Sequence, residues 1–295
     1  MSPAAPRIAS LVVLDRVLDE TYPAEVRRNI TALTIARTAS NACYRFAPPF
    51  LATIARDIHV SLDDIGVALA ISELCGLISP LTGRLVERLP RRAAMVGGLT
   101  GVVTGAGLVA SSSGLVLFAI GLVVLSQTKV VFDLALGAWL ADHVAYERRS
   151  RVVGITETSW AFGLLIGVST MGLVTAASGW RMGYVVGAVA VLVMAVVVRR
   201  RLPYEPMAER AAARRAMPRD RMPGWGWIVV VGNLFLMSAS QFLFVTFGSW
   251  LEDEFDFTAA VISAVVFGLG LGELAASVTS ARRTDAWGKE RSVGM

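Results

Sequence analysis

Seven ionisable side chains fall within stretches that are otherwise apolar: Arg37, Arg45, Glu73, Lys129, Asp133, Glu157 and Glu273. A charge at the centre of a bilayer costs roughly 2.5–3.5 kcal/mol or more on insertion scales, so such residues persist where they pair or do work. Lys129 and Asp133 stand four residues apart and share a helix face. Two chemistries fit them: proton exchange at Asp133, biased by Lys129 or Arg45, or a static ion pair. Arg45 precedes Pro48-Pro49, which should distort its helix, and is expected to face a central cavity. Trp160 either lines that cavity or packs. Glu73 and Glu273 sit at similar depth and either contact a substrate or seal two bundles together. Glu157 is expected close to Arg148, Arg149 and Arg151, as a gate or a structural pair.

Enzymatic chemistry finds no support. His59 and His143 are isolated and fall in opposite loops, so no metal cluster is expected. No Gly-Lys-Ser/Thr phosphate cradle exists. Cys43 and Cys75 lie in apolar segments and imply no disulfide framework. The chain is therefore expected to have no catalytic residues, cofactor, metal or nucleic-acid partner. The pI of about 9.7 reflects basic loops.

The elements that must position these charges are membrane helices. Apolar residues make up 55% and charged residues 17% of the 295, with mean hydropathy +0.60; a soluble domain carries about 25% charge. No Asp, Glu, Lys or Arg occurs from Ala93 to Thr128, Thr158 to Trp180 or Met222 to Leu251. About 20 apolar helical residues cross a bilayer core, so the chain is all-α and polytopic. Residues 8–13 are too short and lack a cleavage site for a signal peptide. The run 93–128 would make a helix of about 54 Å, too long for one crossing, and Ser111-Ser112-Ser113-Gly114 should break it. Eight spans are expected: 30–54, 65–82, 93–110, 115–141, 152–176, 182–198, 225–250 and 259–280.

Arginines set the orientation. Residues 84–92, 143–151, 199–221 and 282–291 hold 4, 3, 8 and 4 Lys/Arg residues, while the opposite loops hold almost none and 251–258 is acidic. Positive loops stay in the cytoplasm, which places both termini there. Trp180 and Trp250 then fall at outer ends and Trp139, Trp225 and Trp227 at inner ends, as in an aromatic belt. Residues 199–222 read as a basic cytoplasmic linker that touches anionic lipid. Abundant Ala, Gly and Val, with Lys only at Lys129 and Lys289, suggests a GC-rich bacterial genome and hence a plasma membrane.

The sequence repeats itself. Shifted by about 198 residues, the segment Gly83 to Arg92 falls on Ala281 to Arg291: Glu87 meets Asp285, Pro90 meets Gly288 and Arg91 meets Lys289. The preceding spans share Ser72-Glu73-Leu74 and Gly272-Glu273-Leu274. A six-span period keeps both halves in one orientation, the parallel-repeat plan of some secondary transporters. The loop resembles that of the major facilitator superfamily, Gly-x-x-x-Asp-Arg-x-Gly-Arg-Arg, at Gly83, Arg88, Arg91 and Arg92, with Glu87 for Asp. The second copy is weaker, with Ala281 for Gly and Ala286 for Arg. The resemblance covers about residues 30–295. It implies a small residue for close helix approach, an acid that caps the next helix and pairs across halves, and arginines that hold the cytoplasmic side.

Gly154, Gly163, Gly167 and Gly172 match the glycine positions of the antiporter pattern Gly-x8-Gly-x3-Gly-Pro-x2-Gly-Gly; they are either antiporter-like or simple packing glycines. Val168 replaces the proline, so its kink is expected to be lost. In the fourth span Asp133 stands where the family has Arg, so proton coupling is not carried over onto it. The resemblance implies an N-terminal extension (1–29), a six-helix half (30–198), the linker (199–222), two helices of a second half (223–280) and a tail with the second motif (281–295). Transport by alternating access follows, with proton-linked efflux of a small molecule. The family's twelve spans would leave four missing here. A truncated non-transporting remnant, or an accessory subunit completed by a second chain, is the alternative.

Overall fold

The computed structural model describes residues 18–204, 206 and 223–287, with side chains for these except residues 147, 150 and 280–287. All regular elements among them are helical. In chain order they are α1 (Ala24–Arg45), α2 (Leu51–Asp57), α3 (Leu62–Leu74), α4 (Ser79–Arg88), α5 (Arg91–Ala110), α6 (Leu115–His143), α7 (Arg149–Phe162), α8 (Ser169–Ser178), α9 (Trp180–Arg201), α10 (Gly224–Phe255) and α11 (Ala259–Trp287). Short 3-10 turns join α1 to α2 at Pro48–Phe50 and α3 to α4 at Cys75–Ile78. The segment Ser111 to Gly114 separates α5 from α6.

Among the described residues, seven helices are long and apolar enough to cross a membrane: Leu62–Arg88, Arg91–Ala110, Leu115–His143, Arg151–Ser178, Trp180–Arg201, Gly224–Phe255 and Ala259–Thr279. Eight were expected. The one outside this set is the first, α1 with α2. It is broken at Pro48-Pro49, where proline removes a backbone donor, and α1 carries Arg27, Arg28, Arg37 and Arg45. This polar helix is enclosed by the others, with Val26, Ile30, Leu33, Ala36 and Cys43 buried.

The bundle has two distinct ends. At one, Arg148 donates to the Thr21 carbonyl at 3.0 Å, Arg201 to the Arg28 carbonyl at 3.3 Å, and Arg91 to Asp142 at 2.8 Å. At the other, Asp57 accepts from Trp180 at 3.0 Å and pairs with Arg181, whose guanidinium also reaches the Ser112 carbonyl at 2.8 Å. The alternation of helices between these ends is what charge-sorted loops require.

Small residues set the closest approaches, as they do where lipid offers no hydrophobic drive between helices. A Cβ at Gly105 of α5 would stand 2.7 Å from the Leu125 Cα of α6. The last two helices dock on the first nine in the same way. Gly248 of α10 lies on the Pro48–Phe50 turn, where a Cβ would come within 2.6 Å of the Pro49 Cα. Gly270 of α11 lies on Leu165, with a Cβ 2.7 Å from its Cα.

Two tryptophan expectations need correction. Trp139 and Trp180 are buried, against His143 and against Phe118 and Tyr184 respectively, so they are core residues and not belt anchors. Trp225, Trp227 and Trp250 are exposed.

Candidate functional site

The charges expected in the membrane converge on α1. Arg37, Asn41, Tyr44 and Arg45 recur at i, i+4, i+7 and i+8, one helical face. Arg37 donates to Asp133 of α6 at 3.2 Å and to Glu157 of α7 at 2.6 Å. Lys129 donates to the other Asp133 oxygen at 2.6 Å, across the expected four-residue step. Asn41 donates to Ser159 of α7 at 3.1 Å. Lys129 is only 5% exposed, so its charge depends on Asp133 for compensation.

Aromatic rings bind this network together. The Lys129 Nζ lies 4.2 Å from the Trp160 ring centroid and 5.1 Å from that of Tyr44. The Arg45 guanidinium lies 5.4 Å from Trp160 and 4.5 Å from Phe244 of α10. Both are cation–π distances. Tyr44 meets Trp160 edge to face at 6.4 Å. Trp160, for which cavity lining and packing were both open, is thus the shared wall between two cations.

The two glutamates of the repeat have different partners. Glu73, at the C-terminal end of α3, accepts from the Tyr44 hydroxyl at 2.7 and 2.8 Å and pairs with no cation among the described residues. Glu273, on α11, takes both arms of Arg45 at 2.8 and 2.9 Å. Arg45, 12% exposed, also donates to the Trp160 carbonyl at 3.4 Å. All six expected cavity residues, Arg45, Glu73, Lys129, Asp133, Trp160 and Glu273, therefore belong to one connected cluster.

Glu157 departs from expectation. It reaches Arg37, while Arg148 and Arg149 bond the Thr21, Val144 and Ala141 carbonyls and Arg151 faces Asp19. Arg149 is held at the C-terminal end of α6, where exposed carbonyls attract cations, and Arg148 and Arg151 are drawn to the Asp19–Thr21 turn instead of Glu157.

The loop motif is likewise reorganised. Arg91 is buried and joins Asp142, at the end of α6, and the Val86 carbonyl at 3.4 Å. Arg88 is exposed and Arg92 half-buried. A Cβ at Gly83 would meet nothing, so this glycine makes no close approach. α5 starts after Pro90, whose side chain makes no cap. The Asp285 side chain, Gly288 and Lys289 lie outside the described residues.

Among the α7–α8 glycines, Gly163 and Gly167 press on α1, the first with a Cβ position 3.1 Å from the Asn41 Cβ; Gly172 meets Ser263 of α11 and Phe50. Gly154 faces open space and packs on nothing. The distortion expected to vanish with the proline is present in another form. Residues Gly163–Val168 form a π-helical turn, a local widening common at functional sites.

Sequence reasoning passed over Tyr44, Phe244 and Glu252. Tyr44 was legible as the i+7 neighbour of Arg37. Glu252 was seen only as part of an acidic loop, yet it accepts from Thr53 at 3.1 Å and pairs with Arg56. These residues, with Asp57 and Trp180, line a cavity of about 530 Å³ at the end away from the arginine loops. The Arg181 guanidinium donating to Asp57 holds that carboxyl below its usual range.

A family model described as Major Facilitator Superfamily matches residues 33–295. No curated protein matches the chain.

Proposed function

This chain belongs to the major facilitator superfamily, and on that footing we propose that it exports a small molecule by alternating access, in exchange for protons. The site lies where the first nine helices meet α10 and α11, and rocking of these two groups would expose it to either side in turn. The arginine-rich end, by the positive-inside rule, is the cytoplasmic one and holds both termini. The plasma membrane is the expected location. The register of Gly154, Gly163, Gly167 and Gly172 against the antiporter pattern supports the antiporter-like branch.

The observation that carries the proton reading is Glu73. The cluster sets three cations, Arg37, Arg45 and Lys129, against four carboxylates, Glu73, Asp133, Glu157 and Glu273. Three of the acids each touch a cation. Glu73 touches a phenol instead. A hydroxyl donates to a carboxylate and accepts from a carboxylic acid, so Glu73 can gain or lose a proton without losing Tyr44. Asp133, the sequence's first candidate, is worse placed. Protonating it would strand the charge of buried Lys129 and leave Arg37 with Glu157 alone. Its role is to hold those cations.

The test is flux in proteoliposomes loaded with a pH-sensitive dye and presented with a panel of amphipathic solutes. Solute-driven proton movement in the wild type that disappears in Glu73→Gln, with solute binding retained, supports the assignment. Proton movement unchanged in Glu73→Gln sinks it.

A further inference from the structure

We infer that Arg45 is the seat of an anionic substrate group, a carboxylate or an equivalent planar anion, and that Glu273 occupies this seat as an internal stand-in. The seat deepens the transport reading above and rests on its rocking motion.

Among the described residues, the cations of the cluster differ in where their counter-ions come from. Lys129 is neutralised by Asp133, and Arg37 by Asp133 and Glu157, all within the first nine helices. Those pairs survive any rigid movement of α10 and α11. Two described pairs cross between the groups: Arg45 with Glu273, and Arg56 with Glu252. Arg56 is 61% exposed, so water can replace its partner. Arg45 is 12% exposed. Once α11 withdraws, its remaining polar contact is the Trp160 carbonyl at 3.4 Å, so the guanidinium is left without a counter-ion beside the Trp160 ring, an unfavourable place for an unpaired charge. Glu273, at 38% exposure, is hydrated more easily on leaving.

The asymmetry fixes the sign of the ligand. With α11 docked the cation is the less exposed partner, and it stays with the first nine helices beside Trp160; the place that Glu273 leaves on its fork takes a group of the same sign, an anion. The shape follows from the fork: Glu273 uses both oxygens on two guanidinium nitrogens, a geometry specific to planar oxyanions. Trp160, lying beside both Arg45 and Lys129, remains on the first group as a flat apolar wall. A small carboxylate with an apolar, preferably aromatic, body satisfies fork and wall together.

Three near-isosteric probes separate charge from shape: phenylacetate, phenylacetamide and phenethylamine. Equilibrium binding and thermal stabilisation are measured on the full chain in lipid nanodiscs. Phenylacetate should bind and the amide and amine should not. Glu273→Gln should bind phenylacetate about tenfold more tightly, because the internal competitor is gone, and any loss of melting temperature in that variant should be restored by phenylacetate and not by the amide. Arg45→Gln should lose the binding, and Arg45→Lys, which keeps the charge and loses the fork, should recover only part of it. Preference for the amine, or phenylacetate binding that is absent from or unchanged in Glu273→Gln, overturns the proposal. No gradient is applied, so failure here leaves the Glu73 proton test intact, and failure of that test leaves this one intact.

Discussion

Helices α1 and α10 make opposite use of the membrane. α1 carries four arginines and is largely enclosed by other helices. α10 runs 32 residues, has no charge before Glu252, and buries only Gly226, Phe244 and Gly248. In water the polar helix would lie outside. Here lipid is the outer solvent, so apolar surface is the inexpensive exterior and polar groups are confined to protein interiors, where partners satisfy them. The arginine-bearing helix therefore organises the site, and the largely exposed apolar one approaches it mainly through Phe244 and the Gly248 contact with Pro49.

The comparison breaks most visibly at its ionic core. Asp133→Ala should cost about 3–5 kcal/mol, since it removes the counter-ion of buried Lys129, and the melting temperature in nanodiscs should fall accordingly. Asp133→Ala melting like the wild type would mean that α1 does not depend on buried pairing. Next come matched truncations. Leu33→Ala on α1, at 1% exposure, should cost about 2–5 kcal/mol, whereas Leu236→Ala on α10, at 64%, should stay within about 0.5 kcal/mol. Equal effects would erase the inside-out contrast. Smaller again is Gly270→Leu. It should undock α11 at a cost of about 1–3 kcal/mol from overpacking against Leu165, read as a melting temperature in nanodiscs below that of Gly270→Ala.

Much of this was legible in the sequence because membranes impose simple rules. The long uncharged runs and the Ser111–Gly114 break are consequences of bilayer thickness, and α5 and α6 end where those features place them. The Lys129–Asp133 pair followed from helical spacing alone. What hydropathy could not reveal was partner choice between distant segments. Arg45 and Glu273 are separated by 228 residues, and no local pattern links them. Glu157 was assigned to the nearest arginines in the chain, but Arg149 is engaged with the carbonyls that end α6, and Arg148 and Arg151 with the Asp19–Thr21 turn. The motif around Gly83 named the correct loop while leaving Asp142, the partner of its buried Arg91, unread, because that residue stands at the end of a helix with no counterpart in the motif.

The weakest expected effect lies at the end of the bundle away from the arginine loops, where solvent replaces lipid and the contrast between α1 and α10 should fade. Asp57 accepts from Trp180 and pairs with Arg181, and its carboxyl is held below the ordinary value of 3.8, chiefly by the Arg181 hydrogen bond. A depressed folded-state value means that this contact stabilises the fold above about pH 3.8 and is lost as pH falls through the lower, folded-state value. Asp57→Asn should therefore lower stability at neutral pH by less than about 1 kcal/mol, because the pair is largely exposed. Melting curves of wild type and variant should converge as the pH is brought below that window. A gap that widens with acid would show that Asp57 is stabilised as the neutral acid, and that this end of the bundle is drier than its exposed ion pair implies.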